Sequence, residues 1–130
     1  MVDGEVIVDS GMDFAAALAG TAAPREIVAS LSIIDVCYLG FDGHSHQGQL
    51  VIHQDLATDL YEVFTLLQAL KFPVAGAVPI VRYDWSDEAS MADDNSSAFN
   101  YRTIAGTDRL SRHALGRAVD INPRENPAVY

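Results

Sequence analysis

The sequence predicts an α+β domain: a mainly antiparallel sheet with helices packed on it. Three stretches carry that expectation. Residues 31–39 are β-rich and apolar on both faces, which reads as a buried central strand. Residues 49–53 form a second strand-like run beyond a glycine-bounded loop (residues 40–48), close enough to return antiparallel to the first. Residues 55–70 then put Leu56, Leu60, Val63, Phe64, Leu67 and Leu70 on one face at three- and four-residue steps, while Asp59, Glu62 and Gln68 face out. This is the scaffold helix expected to cross the sheet.

The remaining elements are shorter. Residues 5–8 read as a brief strand. Asp13 precedes an alanine-rich turn or two of helix over 14–19, closed by Gly20. Pro24 is tolerated at a first helical position and opens a second short helix to about Ser30. Asp55 is placed to cap the scaffold helix, and Phe72-Pro73 to end it. Residues 75–82 continue apolar as a further strand. Residues 84–95 hold Asp84, Asp87, Glu88, Asp93 and Asp94 but lack the glycine and glutamate positions of an EF-hand, so they read as a solvated loop at a cleft rim. Residues 99–103 are extended and present Arg102. With no repeat, linker or low-complexity tract, residues 1–130 read as a single domain.

Composition narrows the function classes. A share of 49% hydrophobic residues supports a globular chain. The net charge of −10 argues against nucleic acid or an anionic membrane surface as partner. No apolar run is long enough to span a bilayer. Residues 1–13 lack a basic n-region and do not read as a signal peptide; a cytoplasmic chain and one whose leader has been removed both stay open. The single cysteine, Cys37, excludes an internal disulfide and reads as a buried small hydrophobe. Five of the eight basic residues, Arg102, Arg109, Arg112, Arg117 and Arg124, lie in the last third of the chain. That placement suits an anionic small substrate, such as a peptide with a free carboxylate, with one of the five at the site.

The same region holds His113 and, seven positions later, Asp120. Imidazole and carboxylate are both zinc ligands. On a continuous helix the two would stand about 10.5 Å apart along the axis, and on a continuous strand they would face opposite ways. A turn at Gly116 followed by a strand resolves this: Val119 and Ile121 enter the core, while Ala118, Asp120 and Asn122 face away, bringing Asp120 opposite His113. Alone, such a pair is more often a hydrogen-bonded structural pair than a metal site. His44 and His46 have a His-x-His spacing that zinc sites use, but no third candidate stands nearby. His53 reads as a capping or packing residue.

The wider context is more specific. Ser111-x-His113-x-x-Gly116-x-Ala118-x-Asp120-Ile121-Asn122-Pro123 resembles the zinc-ligand signature of the VanY-type D-alanyl-D-alanine carboxypeptidases, peptidoglycan peptidases that share their fold with VanX and the Hedgehog signalling domain. Tyr38-x-Gly40-Phe41-Asp42-Gly43, Gly48-Gln49-Leu50-Val51-Ile52-His53 and the run from Ser90 to Arg102 extend the resemblance over roughly residues 31–130. It implies a zinc-dependent peptidase acting on D-amino-acid-containing stem peptides of the cell wall, as carboxypeptidase or endopeptidase, in the cell envelope or secreted. It implies zinc ligands at His113 and Asp120, substrate binding or oxyanion stabilisation by Arg102, and a supporting or substrate contact by Ser111.

The family's third ligand, a histidine downstream of the aspartate, and the carboxylate three positions before it have no counterpart after Asp120. The resemblance therefore implies a C-terminally incomplete domain. Two expectations follow: an uncovered sheet edge at the Asp120 strand or its neighbour, prone to self-association, and, as the alternative function, an inactive peptide-binding remnant.

Overall fold

The structure, a computed structural model, describes residues 5–104 and 106–126. It is an α+β domain around a three-stranded sheet: β1 (Ile7–Val8), β2 (Leu31–Leu39) and β3 (Ser45–His53), in the order β1-β3-β2. β2 and β3 form the expected antiparallel hairpin, from Leu39↔Ser45 to Leu31↔His53. The sheet is mixed, however, because the two-residue β1 lies parallel to β3.

The centre of the sheet is β3. Alternate residues of a paired strand direct their backbone groups to opposite neighbours, and the side of β3 facing away from β2 is taken up by four different segments. Gln47 O accepts from Asp9 N–H (2.8 Å), and Gln49 N–H donates to Ala77 O (2.9 Å). Val51 O accepts from Phe99 N–H (2.9 Å), and His53 N–H donates to Gly116 O (2.8 Å). Gly48 is required there, since a Cβ would stand 2.1 Å from the Ala77 oxygen. The expectation of 31–39 as the central strand is thus corrected. β2 is an edge, although both its faces are covered along part of its length.

Covering comes from two helical layers. Helix α3 (Ala57–Ala69) lays Leu60 and Phe64 against Val36, Tyr38, Leu50 and Ile52. On the opposite face Leu31, Ile33 and Val51 meet Ala17 and Leu18, from α1 (Phe14–Ala17) and its C-terminal end, and Ile27 and Val28 of α2 (Arg25–Ala29). Beyond Ile33 that second layer ends, which leaves Asp35 and Cys37 exposed and corrects the buried reading of Cys37. Gln49 fills the gap. Its side chain accepts from Ser10 Oγ and Met12 N–H and donates to Met12 O and Asp35 Oδ1, so the buried amide is fully satisfied.

Several local expectations change. Asp13 does cap α1, accepting from Ala16 N–H. Pro24 stands one position before α2 rather than inside it. Asp55 does not cap the scaffold helix; the His53 Nδ1 accepts Asp55 N–H ahead of a 3-10 turn (Gln54–Leu56). Val63 and Leu70, expected inside, are 42% and 68% exposed. Residues 75–82 make a single bridge, Ala77↔Ser96, and a 3-10 turn (Ile80–Tyr83) instead of a strand. Within the supposed acidic loop lies a fourth helix, α4 (Asp87–Ala92), capped by Ser86 Oγ on Ala89 N–H. Among the described residues no helix is long and apolar enough to cross a membrane.

Candidate metal centre

Residues 96–103 are the seam on which the site is built. Phe99 fixes this seam to β3, and the chain from 110 to 122 folds back along it. Ser97 and Asp120 exchange both backbone hydrogen bonds (3.0 and 2.9 Å), Asn100 N–H donates to His113 O (3.1 Å), and Ser111 N–H donates to Arg102 O (3.1 Å). These are single bridges, so the expected strand over 117–122 does not form. The edge predicted there is correspondingly absent. A free edge of the described sheet runs along β2, where the ladder's alternation leaves the backbone groups of Ile33, Asp35 and Cys37 pointing outward.

The side-chain expectations around the turn do hold. Val119 and Ile121 pack on the main core. A 3-10 turn (His113–Leu115) ends at Gly116, in the left-handed conformation at φ 70°. Its oxygen binds His53 N–H, and a Cβ on Gly116 would stand 2.5 Å from Leu31 Cδ2 and 2.8 Å from His53 N. Asn122 departs from the alternation. It takes φ 48°, turns inward, accepts from Ala75 N–H and donates to Pro73 O. This locks the chain immediately after Asp120.

The result brings His113 Nε2 and Asp120 Oδ2 to 3.2 Å. His113 Nδ1 lies 2.6 Å from the Ala98 carbonyl oxygen. A carbonyl only accepts, so Nδ1 carries a proton. A neutral ring then presents its Nε2 lone pair to a carboxylate, and two acceptors face each other. Either a second proton or a cation must lie between them. The proton is favoured electrostatically. Burial opposes the charge on His113, but the Asp120 carboxylate and the Ala98 carbonyl outweigh it, even against the nearby Arg102, and raise the imidazole pKa. Asp120 is lowered in turn by its bond from His113, against its own burial.

A cation is also accommodated. Two donors on a tetrahedral zinc with bonds of about 2.0–2.1 Å stand about 3.3 Å apart, close to the observed 3.2 Å. The Nδ1–H···O=C bond is the support that ligand histidines use to hold their tautomer. The pair therefore fits two positions of a zinc site. Among the described residues no group of three or more His, Cys, Asp or Glu side chains converges as a metal cage.

Arg102 stands near enough for its charge to oppose the rise at His113 and to add to the lowering at Asp120. Its Nε is buried without an acceptor, and the facing carboxylate oxygen, Asp87 Oδ2, is 3.8 Å away. Ser111 is buried, and its Oγ accepts Ala114 N–H (3.2 Å), bracing the turn that carries His113. Of the other arginines, Arg117 is engaged with Asp55 and His53 Nε2.

A second cluster was not legible in the sequence. The ring of His46 lies between Asp9 (Nδ1–Oδ2 2.8 Å) and Asp42 (Nε2–Oδ2 2.9 Å) and stacks on Tyr38 at 5.5 Å. Tyr38 donates to the same Asp9 oxygen. Asp9 is 37 residues from His46, and nothing in their spacing announces the contact. The Asp42–His46 step, four residues within a hairpin, was the one available signal. Both ring nitrogens of His46 face carboxylates. A cleft of about 180 Å3 beside it is lined by Asp9, Tyr38, His46, Tyr83, Asp93 and Asn95. Burial, with help from Asp93, pushes the Tyr83 phenol up to about 12.

No family model, curated protein or solved structure matches this chain.

Proposed function

We propose that the chain carries the His-Asp half of a zinc-dependent peptidase site of the VanY type, acting on D-amino-acid-containing stem peptides of peptidoglycan. The observation that carries this reading is the 3.2 Å approach of His113 Nε2 and Asp120 Oδ2, a separation that a shared cation would also give, near a guanidinium with an unused donor.

Zinc held there would polarise a scissile carbonyl and lower the pKa of a water. The chain's own residues have separable tasks. Ala98 O and the Ser111-braced turn hold the imidazole in one tautomer. The Ser97 bridge and Asn122 fix Asp120. Arg102 offers parallel N–H donors to a substrate carboxylate or to the oxygen that gains charge during attack.

The absence of a third converging donor among the described residues favours a second reading. In it the same centre binds zinc and peptide without turnover, and a third ligand and a base must be supplied from elsewhere for hydrolysis.

The test separates the two. Zinc content by elemental analysis, zinc-dependent binding of a D-Ala-D-Ala peptide, and release of D-alanine are measured on the wild type and on Arg102→Lys. Binding with release supports the peptidase; binding without release supports the second reading. Absence of zinc and peptide binding would sink both. Where turnover is present, Arg102→Lys should lower it at least about tenfold, since lysine cannot reproduce two parallel hydrogen bonds.

A further inference from the structure

We infer that Asp87, at the start of α4, is the positioning residue of Arg102: it holds the Nε edge of the guanidinium toward α4 and leaves the terminal nitrogens free for a ligand at the His113–Asp120 pair. The inference deepens the proposed function and rests on it for the identity of the ligand, although the positioning itself is readable without any ligand.

Arg102 carries five N–H donors in one plane, so fixing one edge of the group fixes the direction of the rest. Its Nε is buried and has no acceptor within hydrogen-bond range, an arrangement that costs free energy unless something compensates the charge. Asp87 supplies a carboxylate at 3.8 Å, and both side chains are about one-third exposed, at 34% and 32%. This is an ion pair held short of a hydrogen bond. A movement of under an ångström, as the terminal nitrogens engage a carboxylate, would close it.

Asp87 is able to do this because α4 is tied to the site's own seam. Asn95 Nδ2 donates to Ser90 Oγ on α4 (3.0 Å) and to Val78 O (2.9 Å), while Asn95 Oδ1 accepts Val78 N–H (2.9 Å). Ser90, Asn95 and Ser96 are all buried. From that network the chain runs directly into Ser97, Ala98 and Arg102. The helix and the seam that carries the arginine are therefore joined through one hydrogen-bonded network, and the short helix has a reason to exist beyond covering the core. Glu88, beside Asp87 in the same first turn, has no ion pair with Arg102 and provides the control for a general helix-charge effect.

The experiment uses the whole chain and two readouts. The first is hydrogen exchange of the Arg102 Nε–H, followed by NMR. It should quicken about tenfold in Asp87→Asn, because the carboxylate 3.8 Å away no longer repels hydroxide from the Nε–H, and stay unchanged in Glu88→Gln, with Asp87→Glu recovering most of the protection. The second is affinity for a D-Ala-D-Ala peptide in the presence of zinc, which should fall about three- to tenfold in Asp87→Asn with zinc affinity unaltered. In an Arg102→Gln background the same Asp87→Asn change should cost nothing further.

Equal Nε–H exchange in wild type and Asp87→Asn overturns the inference, as does an equal loss of peptide affinity with and without Arg102. Wild-type protein that protects its Nε–H through Asp87 yet binds no peptide supports the positioning and overturns the proposed ligand. If Asp87→Asn does not fold, a second neutral variant decides on the exchange readout. There Asp87→Ser takes the place of Asp87→Asn: Arg102 Nε–H exchange quickened in Asp87→Ser but not in Asp87→Glu or Glu88→Gln supports the inference, and equal exchange in all three overturns it.

Discussion

His46 and His113 are two imidazoles set between two acceptors, and the difference between them separates a closed bracket from a candidate site. His46 has carboxylates on both nitrogens, at 2.8 and 2.9 Å, and a phenol ring stacked on its face. Its partners come from the end of β1 and from the hairpin turn, so the bracket closes the sheet's far corner and has no position to spare. His113 has a backbone carbonyl on one side and one carboxylate on the other, at the longer distance of 3.2 Å, with a donor-rich arginine close by. Charge on His46 is satisfied from both sides; at His113 one side is neutral and the other is spaced for an ion. In the proposed reading the histidine held between two carboxylates is the tether, and the one whose tautomer a backbone carbonyl fixes is the candidate ligand.

The widest break in that comparison comes from the metal. His113→Ala and Asp120→Ala should each weaken zinc binding by at least about a hundredfold, because losing even an outer partner of a ligand costs roughly 10–100-fold. His46→Ala should leave zinc affinity unchanged. Titration calorimetry with zinc on the three variants checks this. Equal zinc affinity across wild type, His113→Ala and Asp120→Ala would return the pair to a structural role, and a loss in His46→Ala would move the metal to the other histidine.

The next effect is on the attachment of the site to the sheet. Gly116→Ala puts a side chain at φ 70° and drives its Cβ to 2.5 Å from Leu31 Cδ2 and 2.8 Å from His53 N. Left-handed backbone costs about 1–2 kcal/mol for an L-residue before any clash, so a loss of about 2 kcal/mol or more is expected in urea denaturation. Zinc affinity should fall in the same variant, since Gly116 lies between the two proposed ligands. An unchanged midpoint would show that the turn is not held to β3 as described.

How much of this was legible follows from the range of each interaction. The Asp120 geometry could be read because turn and alternation are local: Val119 and Ile121 point to the core on their own hydropathy, and Gly116 marks the reversal. The amphipathic helix was legible for the same reason. The position of 31–39 was not, because two-sided apolarity reports that helices cover both faces and is silent on whether a neighbour lies beyond the edge. Helix α4 was hidden by its acidic surface; its hold on the fold is the buried Ser90–Asn95 bond, which looks like ordinary loop composition in sequence. The role of Asn122 was lost because its left-handed turn breaks the alternation one residue after it had served. Asp9 could not be paired with His46 by any periodicity, since β1 is two residues long and contributes almost no pattern of its own.

The smallest expected effect tests the tether through pH. Burial works against a charge on His46, but Asp42 and Asp9 overcome it and raise its pKa in the fold. A raised imidazole stabilises the fold fully below its unfolded-state value, about 6.5, and that contribution is lost as pH rises through the higher folded value. Asp42 acts in the opposite sense. The His44 backbone N–H, and then His46, lower its pKa, so its contribution is present above the unfolded carboxylate value and lost as pH falls through the folded one. The bracket is therefore tightest in mildly acidic solution. With metal removed by chelator, His113 adds a loss of the same sign on the alkaline side, because its pKa is raised as well. The wild-type stability should thus decline as pH rises past about 6.5, His46→Gln should decline less, and His46→Gln combined with His113→Gln should be nearly flat. Denaturation midpoints measured across that range decide the matter. A decline in His46→Gln as steep as the wild type's would mean that His46 is neutral in the fold, and the distinction between the tether and the ligand would then need another physical basis.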